Sequence, residues 1–375
     1  MAGIYIHIPF CKQACNYCNF HFSTSQKLMP EIIGALHKEL EMQRSYLENE
    51  AIETIYFGGG TPSLLSADEI CKLIDQIHRL FNANNLKEVT LEANPDDLTH
   101  QYIKSLRNTE INRFSIGVQS FKEADLKYMN RAHTAQEADY AIKLAQDAGF
   151  TNLTIDLIYG TPGLKDNEWL LNLQKVSELQ IPHFSAYALT VEEGTALAVN
   201  IRKKKTIPVD ADQAAAQFEI LMDTARSMGY EHYEISNLAL PGHQAIHNTN
   251  YWMGKPYLGI GPSAHSFNGK TRRWNIANNA LYIKNVSNGD LLYEEEHLTT
   301  KQKLNEYIMT SLRTMWGCDL GKISVEYGET TTDILKATAA QFVEAGKAKY
   351  EHNKLILTDP GKLFADNIAS ELFFV

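Results

Sequence analysis

Between Ile4 and Thr190 six short β-rich runs alternate with amphipathic helical stretches. The β-rich runs are Ile4–Ile8, Ile52–Phe57, Val89–Asn94, Arg113–Gln119, Leu153–Tyr159 and Phe184–Leu189. Helices are expected over Glu31–Leu47, Ser66–Phe81, Thr99–Arg107, Ala135–Ala148 and Asn167–Leu179. The second opens on a capping box, Ser66-x-x-Glu69. Such repeats make an α/β chain with a parallel sheet and right-handed crossovers, either doubly wound or curled into a barrel.

The alternation within the strands separates these two. Val89, Leu91 and Ala93 share one face of their run, and Thr90, Glu92 and Asn94 the other. Phe114, Ile116 and Val118 oppose Ser115, Gly117 and Gln119; Leu153, Ile155 and Leu157 oppose Thr154 and Asp156; Ile4, Ile6 and Ile8 oppose Tyr5 and His7. A parallel sheet covered on both faces reads as near-continuous apolar runs. Here one face is apolar and the other polar, which fits an incomplete barrel with helices outside and a polar lumen. Carboxylates and amides are costly to bury without partners. The lumen is therefore expected to be a ligand cavity, open at the C-terminal ends of the strands.

Directly after the first run comes Cys11-Lys-Gln-Ala-Cys15-Asn-Tyr-Cys18, which holds three of the five cysteines. Three thiolates in a C-x3-C-x2-C array can hold three irons of a [4Fe-4S] cluster and leave the fourth open to a ligand. The plain alternatives are unrelated thiols and a structural zinc site. Zinc usually takes two ligand pairs across a longer loop, and no second pair follows. Cys71 and Cys318 sit in helical patterns and read as small core residues. An odd cysteine count with three in metal spacing argues for a reducing, cytoplasmic setting. With a strand starting at once, no leader is expected, and no apolar run reaches the length of a membrane span. A formal charge of −10 disfavours nucleic acid as a partner. The basic run Arg202-Lys-Lys-Lys205 reads as a solvated loop. After the second strand, Phe57-Gly-Gly-Gly-Thr-Pro62 lets backbone approach a ligand closely.

The cysteine array after strand one, Gly-Gly-Gly-Thr-Pro after strand two and the six-fold β/α run together resemble the radical S-adenosylmethionine (SAM) superfamily. Ile6-His-Ile-Pro-Phe-Cys11, Ser115-Ile-Gly-Val-Gln-Ser-Phe121, Asn130-Arg-Ala-His133, Ile155-Asp-Leu-Ile-Tyr-Gly160 and Tyr257-Leu-Gly-Ile-Gly-Pro-Ser-Ala264 narrow the likeness. They resemble the oxygen-independent coproporphyrinogen III oxidases and the related HemW-type heme chaperones. The resemblance implies a radical SAM partial (β/α)6 barrel with a small C-terminal α-rich, winged-helix-like domain. It implies a [4Fe-4S] cluster on Cys11, Cys15 and Cys18 and SAM contacts at Tyr5, Tyr17, Gly59, Gly60, Thr61, Glu92, Gln119, Arg131, Asp156 and Ala188. Tyr5, Glu92, Gln119 and Asp156 also lie on the polar faces identified above. Hydrogen bonding within the barrel is the plain alternative for Gln119 and Asp156, and turn-capping for Arg131.

Two departures bear on function. The oxidases carry a further cysteine two residues after the third ligand, where this chain has Phe20, and an N-terminal arm, where this chain has three residues before strand one. His247-Asn-x-x-Tyr-Trp252 resembles the heme-binding segment of the chaperones, which implies heme as cargo at His247, Tyr251 and Trp252 and heme-acceptor proteins as partners. Without the resemblance, a histidine beside a tryptophan reads as structural. The expected reading is a heme chaperone. A coproporphyrinogen III oxidase is the alternative enzyme, and a zinc-bearing interaction protein the alternative of another class. The expected division is a barrel over 1–207, an extension carrying the heme segment over 208–298, and a C-terminal unit over 299–375. Within these, helices are expected over Asp210–Met228, Thr300–Met315, Thr332–Ala345 and Pro360–Leu372, with a hairpin through Ala348–Leu357. The C-terminal unit would lid the barrel or dock a partner.

Overall fold

The six strands are β1 (Ala2–Ile8), β2 (Ile52–Gly59), β3 (Glu88–Ala93), β4 (Arg113–Gln119), β5 (Leu153–Tyr159) and β6 (His183–Ala188) in the computed structural model, which describes residues 1–374. All are parallel and adjacent in chain order. A doubly wound sheet reverses its order at a switch point. No reversal occurs across these six, so right-handed crossovers place the helices on one face and leave the other concave. The expected partial barrel is the observed one. Ile4, Ile6, Phe114, Ile116, Leu153 and Ile155 face the helices and are fully buried, each contributing roughly 1.5–3 kcal/mol by leaving water. The Ser66–Glu69 capping box forms at the head of helix Ala67–Leu80.

The sheet continues past both edges of the six. On one side β7 (Glu231–Glu234) and β8 (Asn237–Ala239) add antiparallel to β6. On the other, β9 (Tyr257–Ile260) pairs parallel with β1, and β10 (His265–Phe267), β11 (Thr271–Asn275) and β12 (Tyr293–His297) follow antiparallel, giving twelve strands. The sequence reading did not resolve these six flanking strands, which are three to five residues long. They are too short for alternation to register, and several carry charges.

The C-terminal unit has a core of its own, from Leu304 and Ile308 through Leu335 and Phe342 to Ile368. Helices Thr300–Leu312 and Glu329–Glu344 and the hairpin Ala348–Glu351/Lys354–Leu357 follow the expected order. Helix Leu320–Tyr327 is additional, capped by the Asp319 carboxylate between two glycines that masked its pattern. The expected helix over Pro360–Leu372 is broken into Asp359–Lys362 and Ala365–Glu371. Cys318 is buried but lies in a two-residue strand, not a helix, and Cys71 is helical but half-buried.

The floor of the lumen is a closed polar layer. Arg113, 2% exposed, donates to Asn152 Oδ1 at 2.7 Å and to Thr154, and its Nε lies 3.9 Å from the Glu88 carboxylate. The same carboxylate accepts the N–H groups of Ile246 (2.8 Å) and His247 (2.9 Å), the first two residues of helix Ile246–Trp252. That helix thereby plugs the barrel from below. Glu88→Ala would leave a buried guanidinium and two backbone donors without their acceptor. We expect it to lower the unfolding free energy by about 3–5 kcal/mol in urea titration; a loss below about 1 kcal/mol would show the layer is not sealed as described.

Candidate functional site

The chain leaving β1 turns tightly at Phe10 and enters the cysteine loop. There Asn130 Nδ2 donates to Ala14 O (2.7 Å), Gln13 Nε2 to Asn130 O (2.9 Å) and Asn16 N to Met129 O (3.0 Å). These bonds staple the loop to the segment that carries Arg131. The guanidinium of Arg131 then reaches across the mouth of the lumen. It donates from Nη1 to Cys15 Sγ (3.2 Å) and from Nη2 to Asn94 Oδ1 (2.8 Å) and Gly117 O (2.7 Å). Arg131 is thus no mere turn cap. Its Nε is buried with no partner among the described residues, a donor still lacking its acceptor.

The three cysteines share one hollow of about 150 Å³ with Tyr17, Gly59, Gly60, Thr61, Glu92, Gln119, Arg131 and Asp156. Ala188 lies outside it, on an adjoining cavity of about 860 Å³ that Tyr17, Cys18, Glu92, Gln119 and Asp156 also line. Tyr5 lies outside too, on a separate cavity described below. Asn94, Ser115 and Gly117 line the hollow without having been singled out. Asn94 and Ser115 continue the polar stripes of β3 and β4, and that stripe was the available signal. A Cβ on Gly117 would stand 3.1 Å from Gln119 Nε2 and 3.2 Å from Arg131 Nη2, a tight fit that would press both side chains aside. Gly60 has a sharper reason: its Cβ would fall 2.5 Å from the carbonyl oxygen of Phe10, just before Cys11.

Among the described residues no three His, Cys, Asp or Glu side chains converge on one ion. A mononuclear zinc site needs such convergence. A cubane takes one thiolate per iron, so it asks only that three thiols line one hollow, as these do. Burial pushes the Cys11 thiol up to about 11 and raises that of Cys18, while Arg131 pulls both down. Iron would displace those protons. The donor set and the orphaned guanidinium N–H fit a cluster with an anionic ligand beside it.

Opposite the thiols stand two carboxyl groups. Glu92 accepts from Tyr56 OH (2.7 Å) and Gly59 N–H (3.2 Å), yet burial, with like charge from Asp156, raises it to about 7. Burial likewise raises Asp156 to about 6, against the pull of Ser185 and Arg131. Gln119 completes the wall at φ +70°, a left-handed backbone uncommon for a residue with a side chain.

A second large cavity, of about 750 Å³, opens between helix Ile246–Trp252, the β9–β11 edge and the C-terminal unit. Tyr251 and Trp252 line it, with Tyr5 and Phe20. His247 does not. It is 1% exposed, with Nδ1 2.8 Å from Thr54 Oγ1, Nε2 2.7 Å from Tyr251 OH, and its ring stacked on Tyr56. Burial pushes its imidazole down to about 3. The expectation that His247 faces a heme therefore meets a floor residue with both nitrogens engaged. Phe20 is 70% exposed and borders the thiol hollow and both large cavities.

The radical SAM superfamily model matches residues 5–175. The heme chaperone HemW of Bacillus subtilis is 32% identical over 374 residues, covering 98% of each chain. This chain belongs to the HemW family. The Escherichia coli HemW is 31% identical over 377 residues, covering 99% of this chain and 97% of its own. The solved structure of the E. coli coproporphyrinogen III oxidase HemN, a radical SAM enzyme, matches with a TM-score of 0.85. It covers 99% of this chain and 90% of that one at 22% identity, a likeness of fold. Membership of this family implies SAM and iron–sulfur use, in agreement with the thiol hollow.

Glu92 supplies a test of the site's electrostatics. It ionises near 4.5 ordinarily and at about 7 when folded, so its contribution is full below the lower value and lost as pH rises through the upper. Glu92→Gln should remove that loss. Relative to the native chain, the variant's unfolding free energy should rise by about 2–3 kcal/mol between about pH 5 and pH 8. Parallel pH profiles for the two proteins would refute the assignment. Gly60→Ala should separately lower iron and sulfide content after reconstitution several-fold, because the Phe10–Cys11 turn must shift; full incorporation would remove the steric argument.

Proposed function

We propose that this HemW-family chain is a heme chaperone, holding a [4Fe-4S] cluster and SAM in the barrel and passing heme to acceptor proteins. The observation that carries the reading is the position of Phe20. Where the oxidases resemble this chain they place a further cysteine, and here an exposed aromatic ring stands between the thiol hollow and a porphyrin-sized cavity. An aromatic edge offers a macrocycle a flat apolar contact, and a thiol's chemistry is absent from that place.

In this reading Cys11, Cys15 and Cys18 hold the cluster. Tyr17, Gly59, Gly60, Thr61, Glu92, Gln119, Arg131 and Asp156 surround SAM, with Tyr5 and Ala188 further out. Bound there, cluster and SAM supply one-electron and radical chemistry. Arg131 holds the cysteine loop against β3 and β4 and offers its free Nε–H to a carboxylate. Glu92 and Asp156 accept hydroxyl donors, and their raised values let either hold a proton near neutrality. Residues 1–207 carry the cofactors, while 208–298 and 299–375 wall the cargo cavity together with Tyr5, His7, Phe20 and His21. Among the described residues no helix is long and apolar enough to cross a membrane. We place the chain in a reducing cytoplasm on its cysteine chemistry.

The oxidase reading keeps one observation in its favour, the 860 Å³ cavity that adjoins Cys18, Gln119 and Asp156. Reconstituted protein given coproporphyrinogen III, SAM and reductant should form no fluorescent protoporphyrin after oxidation. The same protein should bind hemin stoichiometrically and yield it to an apo-hemoprotein. Steady protoporphyrin formation would overturn the chaperone reading in favour of the enzyme.

A further inference from the structure

We propose that heme is seated in the cavity between helix Ile246–Trp252, the β9–β11 edge and the C-terminal unit, with the imidazole of His265 on its iron and Lys303 and Lys322 on its propionates. This rests on the chaperone reading and assigns its cargo site.

Three histidines line that cavity, and two are engaged. His7 has Nδ1 3.1 Å from Tyr5 OH and Nε2 3.0 Å from His21 O; His21 has Nε2 2.7 Å from Asn279 Oδ1. His265 is exposed and makes no side-chain hydrogen bond among the described residues. Its ring is held by stacking on Trp274, 6.1 Å between centroids at 27°. The turn that presents it is tightly built: Ser263 sits at φ +64°, and a Cβ on Gly259 would lie 2.0 Å from the His265 carbonyl oxygen. A neutral imidazole with a free nitrogen, fixed in orientation and facing a cavity, is what a heme iron takes as axial ligand. Trp252 and Tyr257 give the same cavity apolar faces for the macrocycle.

The charges complete the match. Arg272 and Lys255 also line the cavity but are paired, with Glu306 at 2.7 Å and Glu53 at 3.2 Å. Lys303 and Lys322 have no acidic partner within ion-pair distance among the described residues, and Lys322 Nζ lies 4.2 Å from the centre of the Tyr307 ring. In a chain of formal charge −10, two unpaired ammonium groups on one aromatic cavity call for two carboxylates. Heme carries two.

The test titrates the full-length, cluster-reconstituted chain with hemin and, separately, with iron-free protoporphyrin IX. His265 is on the surface, so His265→Ala should melt like the native chain. It should weaken hemin binding about tenfold and shift the Soret band, with added imidazole restoring the band, while protoporphyrin binding stays unchanged. Lys303→Glu with Lys322→Glu should weaken both porphyrins by about tenfold or more. If the native chain binds hemin and His265→Ala binds it with the same affinity and Soret band, this site is wrong and the chaperone reading stands. If the native chain takes up no hemin, that reading fails and the site with it.

Discussion

One carboxylate, that of Glu88, ties the two halves of this chain together. It lies at the foot of the lumen, pairs at 3.9 Å with an equally buried Arg113, and caps the two leading N–H groups of helix Ile246–Trp252. A buried ion pair contributes little net stability against an apolar replacement, but removing one member is severe. What the pair provides is a fixed place. The helix cannot slide without stranding its two leading N–H groups, so His247 is locked against Thr54 and Tyr56 while Tyr251 and Trp252 are carried to the neighbouring cavity.

The same logic runs up the barrel. A closed eight-fold barrel fills its interior with branched apolar side chains. Here polar residues fill the bottom layer and satisfy one another: Arg113 with Thr154, Thr154 with His183, His183 with Tyr233. Toward the mouth the satisfaction stops. Arg131 keeps an unpartnered Nε, and burial, with the charge of Asp156 nearby, opposes the ionisation of Glu92. Unfinished hydrogen bonding over three thiols is where a bound anionic ligand gains most, because the protein groups are already oriented and only their acceptors are missing.

The period-2 stripes made this legible in outline. Glu92, Asn94, Ser115, Gln119 and Asp156 fall on one face whatever the curvature, so a polar lumen followed from alternation alone. The cysteine spacing and the glycine run placed the hollow at its mouth. The floor was not legible, because Glu88 and Arg113 stand at the first positions of their strands, where a charge reads as the solvated end of an element. Nor did the motif around His247 disclose its direction. Residue types at i and i+4 show that His247 and Tyr251 share a helix face, not whether that face looks into the floor or into the cavity. His265 gave no signal, since a strand of three residues has no period to read.

Phe20 stands at the boundary of the thiol hollow and both large cavities, in a fold this chain shares with the HemN oxidase. The TM-score of 0.85 to the HemN oxidase and the 22% identity mean that the same barrel accommodates widely different walls. Two residues after Cys18, Phe20 reaches the boundary between the thiol hollow and the 750 Å³ cavity. A thiol there brings ionisable, redox-active sulfur to that boundary. A benzyl ring brings surface area and no chemistry. Since Phe20 remains 70% exposed, its apolar face is uncovered at a cost in water contact, and a flat hydrophobic cargo laid against it would remove that cost. On the proposed reading the ring would be unfavourable in the empty protein and favourable in the loaded one. That difference in free energy between the two states is what retention and release of a cargo require.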